Sequence, residues 1–198
     1  MKVLLVSEGK HEKSSLPLLV QRIAEHEFEF EHARLADENL PAHHGEGKGF
    51  FKKALRWLLK AREGGYEGMI LVVDRDGNRE RQNEVNRAQA EQRVCDLPRA
   101  LGVAVQSFDA WMLADEVALS KVLGWSVPRQ RDPESIRNPK GTCAELLAGS
   151  PEELDQSTMY CKSAAILDLA QLTDRCPIGF RPFAELVRAL PAQDRSQR

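Results

Sequence analysis

Short apolar runs alternate with stretches of helical periodicity along the first two thirds of the chain. Lys2-Val3-Leu4-Leu5-Val6, apolar after its first residue, stops at Ser7-Glu8-Gly9, which predicts a buried strand. Leu16, Leu19, Val20 and Ile23 repeat at i, i+3, i+4 and i+7. That spacing predicts a helix with Ser14 or Ser15 as its cap and Pro17 in its first turn. Phe28 and Phe30 alternate with glutamates between Glu27 and Leu35, predicting a second strand. From Phe50 to Arg62 a helix is predicted, with Phe51, Leu55, Leu58 and Leu59 on one face and Gly64-Gly65 as its stop. Met69 to Val73 is the clearest buried strand, running straight into Asp74-Arg75-Asp76-Gly77. A polar surface helix over 79–95, a strand over Val103–Gln106 and a helix over Phe108–Leu123 follow.

This alternation predicts an α/β fold, a mostly parallel sheet flanked by helices and joined by right-handed crossovers. Beyond Gly124 the pattern changes to a Pro- and Arg-rich connection over 127–141. Short helices are expected over Thr142–Leu147, Lys162–Thr173 and Phe180–Leu190. The expected organisation is an α/β core over 1–125 and, over 126–198, a connection with a small helical extension packing on the core. Residues 36–49 read as a loop and 194–198 as a frayed tail.

Composition removes several classes. With 198 residues, 42% apolar and 29% charged, the chain is long enough to bury a core and is neither disordered nor membrane-spanning. Twenty-eight Lys+Arg against 30 Asp+Glu give a net charge of -2, which excludes a uniformly basic polyanion binder but not a local basic patch. The apolar start is too short before Ser7-Glu8 for a secretory signal. Cys95, Cys143, Cys161 and Cys176 show no C-x-x-C and no His partner at ligand spacing. Reduced thiols in a cytoplasmic protein are therefore expected rather than zinc.

Three acidic residues stand at predicted strand ends: Glu8 after the first strand, and Asp74 and Asp76 after the Met69–Val73 strand. Ligands of parallel sheets bind at those ends. Carboxylates there suit a hard divalent cation, and the chemistry it serves is phosphoryl transfer or phosphodiester hydrolysis. The same Asp-x-Asp-Gly string is also ordinary turn chemistry, and Glu8 alone reads equally as a solvated residue before a turn glycine.

Val6-Ser7-Glu8-Gly9-Lys10-His11-Glu12, followed by a later strand ending in Asp74-Arg75-Asp76, resembles the toprim domain of topoisomerases, primases and the overcoming-lysogenization-defect nucleases. The Glu-Gly segment is similar to the start of the nuclease branch, with His11 where Thr is usual. Ser107-Phe108-Asp109-Ala110-Trp111-Met112-Leu113-Ala114-Asp115 resembles a segment of a bacterial toprim-like family, domain of unknown function 4276, with Asp109 where Glu is usual. The resemblance continues through 132–140 and through Lys162, Ala165, Asp168, Arg175, Cys176, Pro177 and Phe183. It implies a toprim-like (Rossmann-like) fold and a Mg²⁺- or Mn²⁺-dependent nuclease, with relatives in bacterial genome or phage defence. Carried over by residue, Glu8 is the general base or a metal ligand, and Asp74 and Asp76 are metal ligands. Asp109 is a further ligand or only a helix cap. Glu12 is either a residue behind the ligands or one that stabilises a helix start.

Lys52, Lys53, Arg56 and Lys60 belong to a run of cations from Lys48 to Arg62 with no intervening acid. Such a run is a solvated face or a surface that tracks nucleic-acid phosphates. Trp57 within it reads as core. Lys140 and Lys162 are the isolated lysines that would stabilise transition-state charge. Arg75 is expected to point away from the two aspartates. His43-His44 lacks further ligands at a recognised spacing, and Gly45-Glu46-Gly47-Lys48-Gly49 is not a P-loop. Two rivals stand beside the nuclease reading. One is a non-catalytic degenerate toprim module that binds nucleic acid or a protein partner in a multi-gene system. The other is a haloacid-dehalogenase-like phosphatase with Asp74 as nucleophile and Asp76 as acid/base.

Overall fold

The computed structural model describes residues 1–37 and 49–192. Four strands form one all-parallel sheet: β1 (Lys2–Ser7), β2 (Glu29–Arg34), β3 (Gly68–Asp74) and β4 (Arg99–Ala104), in the order β2-β1-β3-β4. Helices cover both faces, so the architecture is Rossmann-like α/β. The two central strands are the two that read as continuous apolar runs, as burial on both faces requires.

Their side chains alternate between two apolar layers. Val3, Leu5, Ile70, Val72, Ala100 and Ala104 face one, while Leu4, Val6, Met69, Leu71, Val73, Leu101 and Val103 face the other. The second layer is closed by α2 (Phe50–Glu63) and α3 (Glu80–Gln89). Trp57 is 1% exposed in it, so that indole is core. α3 buries only Val85 and Ala88, which is why the segment reads as almost wholly polar.

The first layer is closed by α1 (Glu12–Ala24), α4 (Asp109–Met112), α5 (Glu116–Leu123), α7 (Gln156–Ile166) and α9 (Phe180–Arg188); α6 (Pro139–Ala148) and α8 (Leu169–Arg175) add Cys143, Leu146 and Leu172 to it. α7 packs on α1, and α9 packs on β4 and α1. Trp111 stacks on Phe183 at 5.5 Å and meets the edge of Phe180 at 5.3 Å. The residues beyond 125 thus share one apolar layer with β1, β3 and β4. Among the described residues no helix is long and apolar enough to cross a membrane. All four cysteines are free thiols.

Several elements differ from expectation. β4 begins upstream of the expected Val103 because Gly102 belongs inside the strand. A Cβ there would lie 2.6 Å from Phe183 Cδ2, so glycine is what lets α9 close on the sheet. The expected helix over 108–123 is two helices, since the Asp115 carboxylate accepts from the N–H groups of Val117 (3.0 Å) and Ala118 (2.9 Å) and starts α5. Asp168 divides the expected helix over 162–173 in the same way, capping α8 through Ala170 N–H at 2.8 Å. α1 starts at Glu12, ahead of the serines expected to cap it.

Candidate functional site

In a sheet of this order the ligand crevice opens outside the carboxyl ends of β1 and β3, where successive connections leave to opposite faces. Glu8 and Asp74 flank that point. Ser7 pairs with Val72, which sets Glu8 alongside the last residues of β3. Glu8 Oε2 accepts the Asp74 backbone N–H at 2.9 Å. Asp74 Oδ1 accepts the Phe108 N–H at 2.8 Å, tying β3 to the segment that leaves β4.

Asp76 is delivered by a turn. Asn78 N–H donates to Arg75 O at 2.8 Å, and the two central residues, Asp76 (φ 46°) and Gly77 (φ 73°), are both left-handed. Asp and Gly tolerate that conformation. Turn chemistry and site placement are here the same fact. The carboxylate of Asp76 is exposed, while Arg75 carries its Nε buried.

Glu12 joins the group from the first turn of α1. It is 8% exposed, and its Oε2 accepts the Gly9 N–H at 2.6 Å. A Cβ on Gly9 would stand 2.6 Å from Glu12 Oε1, so Glu8-Gly9-Lys10-His11-Glu12 works as a unit in which the glycine admits the second glutamate. Its signal in the sequence is the four-residue spacing from Glu8. That spacing becomes informative only once α1 is known to start at Glu12.

The carboxylates raise one another's proton affinity. Burial first, then the charge of Glu12, pushes Asp74 up to about 8, against the opposing Phe108 N–H. Burial also raises Glu8, offset by the Asp74 N–H and by Arg81, and raises Glu12, offset by the Gly9 N–H and Ser7.

Sequence reading missed Arg81, which lies on the polar helix α3. One of its terminal nitrogens donates to Asp76 Oδ2 at 2.9 Å and to the Asp74 carbonyl oxygen, and lies 3.7 Å from Glu8 Oε2. The guanidinium carbon sits 4.1 Å from the centre of the Phe50 ring. Lys53 Nζ lies 5.6 Å from the same ring, and its charge reaches Glu8. Lys52, beside Lys53 in the first turn, and Arg56 and Lys60 farther along α2 are exposed, with Lys60 Nζ 4.7 Å from the Trp57 ring centre. Lys48, His43, His44 and the 194–198 tail lie outside the described residues.

Asp109 faces other partners. It is 7% exposed, and its Oδ2 accepts from the Ser107 hydroxyl at 2.8 Å. Its Oδ1 accepts from Gln156 Nε2 at 3.0 Å and from the Tyr160 hydroxyl. Burial, then the charges of Cys143 and Asp109, drives the Tyr160 phenol far up. Next to them His11 Nδ1 meets Ser157 Oγ at 2.7 Å. The geometry of Asp109 is that of a clasp between the α4 start and α7. Lys140 is exposed in the first turn of α6, where its charge reaches His11, and Lys162 is exposed on α7. Among the described residues neither lysine forms an ion pair with Glu8, Asp74 or Asp76.

Among the described residues no three His, Cys, Asp or Glu side chains are grouped so as to hold a metal ion between them. The donor set is nevertheless all oxygen, and Mg²⁺ is commonly held by one or two carboxylates, with waters and substrate oxygens completing its shell. A cationic nitrogen already sits among oxygens of Glu8, Asp74 and Asp76. That position fits a cation electrostatically and chemically. Neither the family models, nor the curated proteins, nor the solved structures compared with this chain include a match.

Proposed function

We propose that this chain is a toprim-like, Mg²⁺- or Mn²⁺-dependent phosphodiesterase acting on DNA or RNA. The observation that carries the reading is the gathering of Glu8, Glu12, Asp74 and Asp76 at the β1/β3 switch point, where crowding and burial lift Asp74 to about 8. A carboxylate held that high is incompletely ionised at neutral pH unless an added positive charge favours its anion.

In this reading Asp74 and Asp76 hold the ion, with Glu8 beside them. When bound, the ion neutralises charge at the phosphoryl oxygens and acidifies a water. Glu8 has one oxygen fixed by the Asp74 N–H and a raised proton affinity, so its Oε1 is suited to take the proton of an attacking water. Glu12 sustains the negative field from behind, and the Asp109 clasp steadies the segment whose Phe108 N–H orients Asp74. Lys52, Lys53, Arg56 and Lys60 offer phosphate contacts along α2, and of these the charge of Lys53 reaches Glu8. The phosphatase alternative leaves Glu8 and Glu12 without work.

The test is a cleavage panel over single- and double-stranded DNA and RNA with Mg²⁺, Mn²⁺ or EDTA. Cleavage of one class that EDTA abolishes supports the reading. Absence of cleavage throughout, with Mn²⁺ still bound, favours the non-catalytic module.

A further inference from the structure

We propose that Arg81 is an exchangeable counter-ion. It neutralises the strand-end carboxylates while no divalent cation is bound, and it leaves them when one binds, its guanidinium turning over Phe50 to meet a substrate phosphate. The inference rests on the proposed metal site and names the residue that competes for it.

Three oxygens from three residues surround one Arg81 nitrogen: Asp76 Oδ2 at 2.9 Å, Glu8 Oε2 at 3.7 Å and the Asp74 carbonyl. A divalent ion held by Asp76, with Glu8 beside it, would draw on two of these oxygens, Asp76 Oδ2 and Glu8 Oε2, and two cations do not share them. The guanidinium is poorly satisfied where it is, because its Nε is buried with no hydrogen-bond partner among the described residues. An unpaired buried donor carries a desolvation cost. A planar guanidinium has five donors suited to bidentate phosphate contact, and here a single terminal nitrogen makes the approaches to Asp76, Asp74 and Glu8.

Phe50 supplies the path. Its ring lies against the guanidinium at 4.1 Å and is fixed at the start of α2, where its backbone N–H donates to Glu84 Oε2 at 2.8 Å. Rotation about the Arg81 stem keeps the cation on the ring face, which offsets part of the forfeited ion pairing. Lys53, 5.6 Å from the same ring centre, adds a second charge on the phosphate side.

The experiment is calorimetric titration of Mn²⁺ into the metal-free full chain at pH 8.5, comparing wild type with Arg81→Gln. A melting curve of each is recorded in EDTA. Loss of the resident cation predicts Mn²⁺ affinity tighter by roughly three- to ten-fold, the equivalent of about two partly exposed ion pairs. The metal-free variant melts lower at the same time. Arg81→Met, whose apolar stem keeps the packing on Phe50, gives the same reading should the glutamine variant fail to fold. Arg81→Lys retains the charge and binds within about two-fold of wild type.

A purely structural arginine predicts the opposite sign: affinity falls together with stability. Equal or weaker Mn²⁺ binding in the charge-free variants overturns the proposal. Asp74→Asn separates this failure from failure of the site itself, because loss of Mn²⁺ binding there upholds the site even if Arg81 has no effect. A wild type that binds no Mn²⁺ overturns both.

Discussion

Glu8 accepts the backbone N–H of Asp74 at 2.9 Å, joining the ends of the two central strands across the point where the sheet changes winding direction. That bond fixes one oxygen of Glu8 against β3 and leaves the acidic group at the mouth of the crevice. Burial and neighbouring charge act together there, and Arg81 faces the carboxylates of Glu8 and Asp76, so in the proposed reading a metal ion would compete with Arg81 at those two groups and with a proton at Asp74.

The pH dependence of stability follows from Asp74, which titrates at about 8 folded against 3.8 ordinarily. Below about pH 4 both folded and unfolded chains hold the proton, and the contribution to stability is complete. Between about pH 4 and 8 the unfolded chain releases it while the folded chain keeps it, so stability falls as pH rises. The metal-free wild type is expected to lose on the order of 5 °C more in Tm between pH 5 and 8 than Asp74→Asn does. Saturating Mg²⁺ flattens the wild-type slope. Parallel slopes for the two proteins in EDTA contradict the assignment.

Asp109 is expected to matter for stability before metal binding. Tyr160→Phe removes a hydroxyl donor from a buried carboxylate and costs about 1–3 kcal/mol in denaturant unfolding. Asp109→Asn destabilises similarly and retains the Mn²⁺ site. Loss of Mn²⁺ binding in Asp109→Asn with stability unchanged would instead make Asp109 a ligand.

Gly9→Ala tests the Glu8–Glu12 unit. The new Cβ falls 2.6 Å from Glu12 Oε1 and pushes that carboxylate out of place. Cleavage is expected to drop by about ten-fold or more, corresponding to roughly 1.4 kcal/mol in the barrier. Full activity in this variant leaves Glu12 without a role in the site.

Replacing Lys52 and Arg56 with Gln tests the α2 surface. Both lie on its solvent-facing side, so the effect belongs to substrate binding: KM rises and kcat stays. The salt slope of binding falls by about 0.7–0.9 for each phosphate that the variant no longer neutralises. An unchanged KM and salt slope places the nucleic acid elsewhere.

The parts of this structure visible in sequence are those set by local pattern. β1 and β3 are apolar on both faces because they are central, and a parallel sheet puts Asp74, the last residue of β3, and Glu8 and Asp76, which come after the strands, at one end. Gly102 reads as the limit of a strand because the Phe183 ring that requires it comes from α9, far along the chain. Arg81 is hidden for a related reason. On a polar helix it looks like any solvated cation, and only the Asp76-Gly77 turn and the Phe50 ring show that it faces the carboxylates. Sequence leaves Asp109 open between a further ligand and a helix cap, because its partners Gln156 and Tyr160 belong to α7, far along the chain.

Single-turnover cleavage of a labelled oligonucleotide in Mn²⁺, comparing wild type with Asp74→Asn, decides whether the strand-end carboxylates are a catalytic metal site. The expected rate is lower by about 10³-fold or more in the variant, with a Tm in EDTA at neutral pH equal to or above that of wild type. A variant rate within about two-fold of wild type contradicts that assignment.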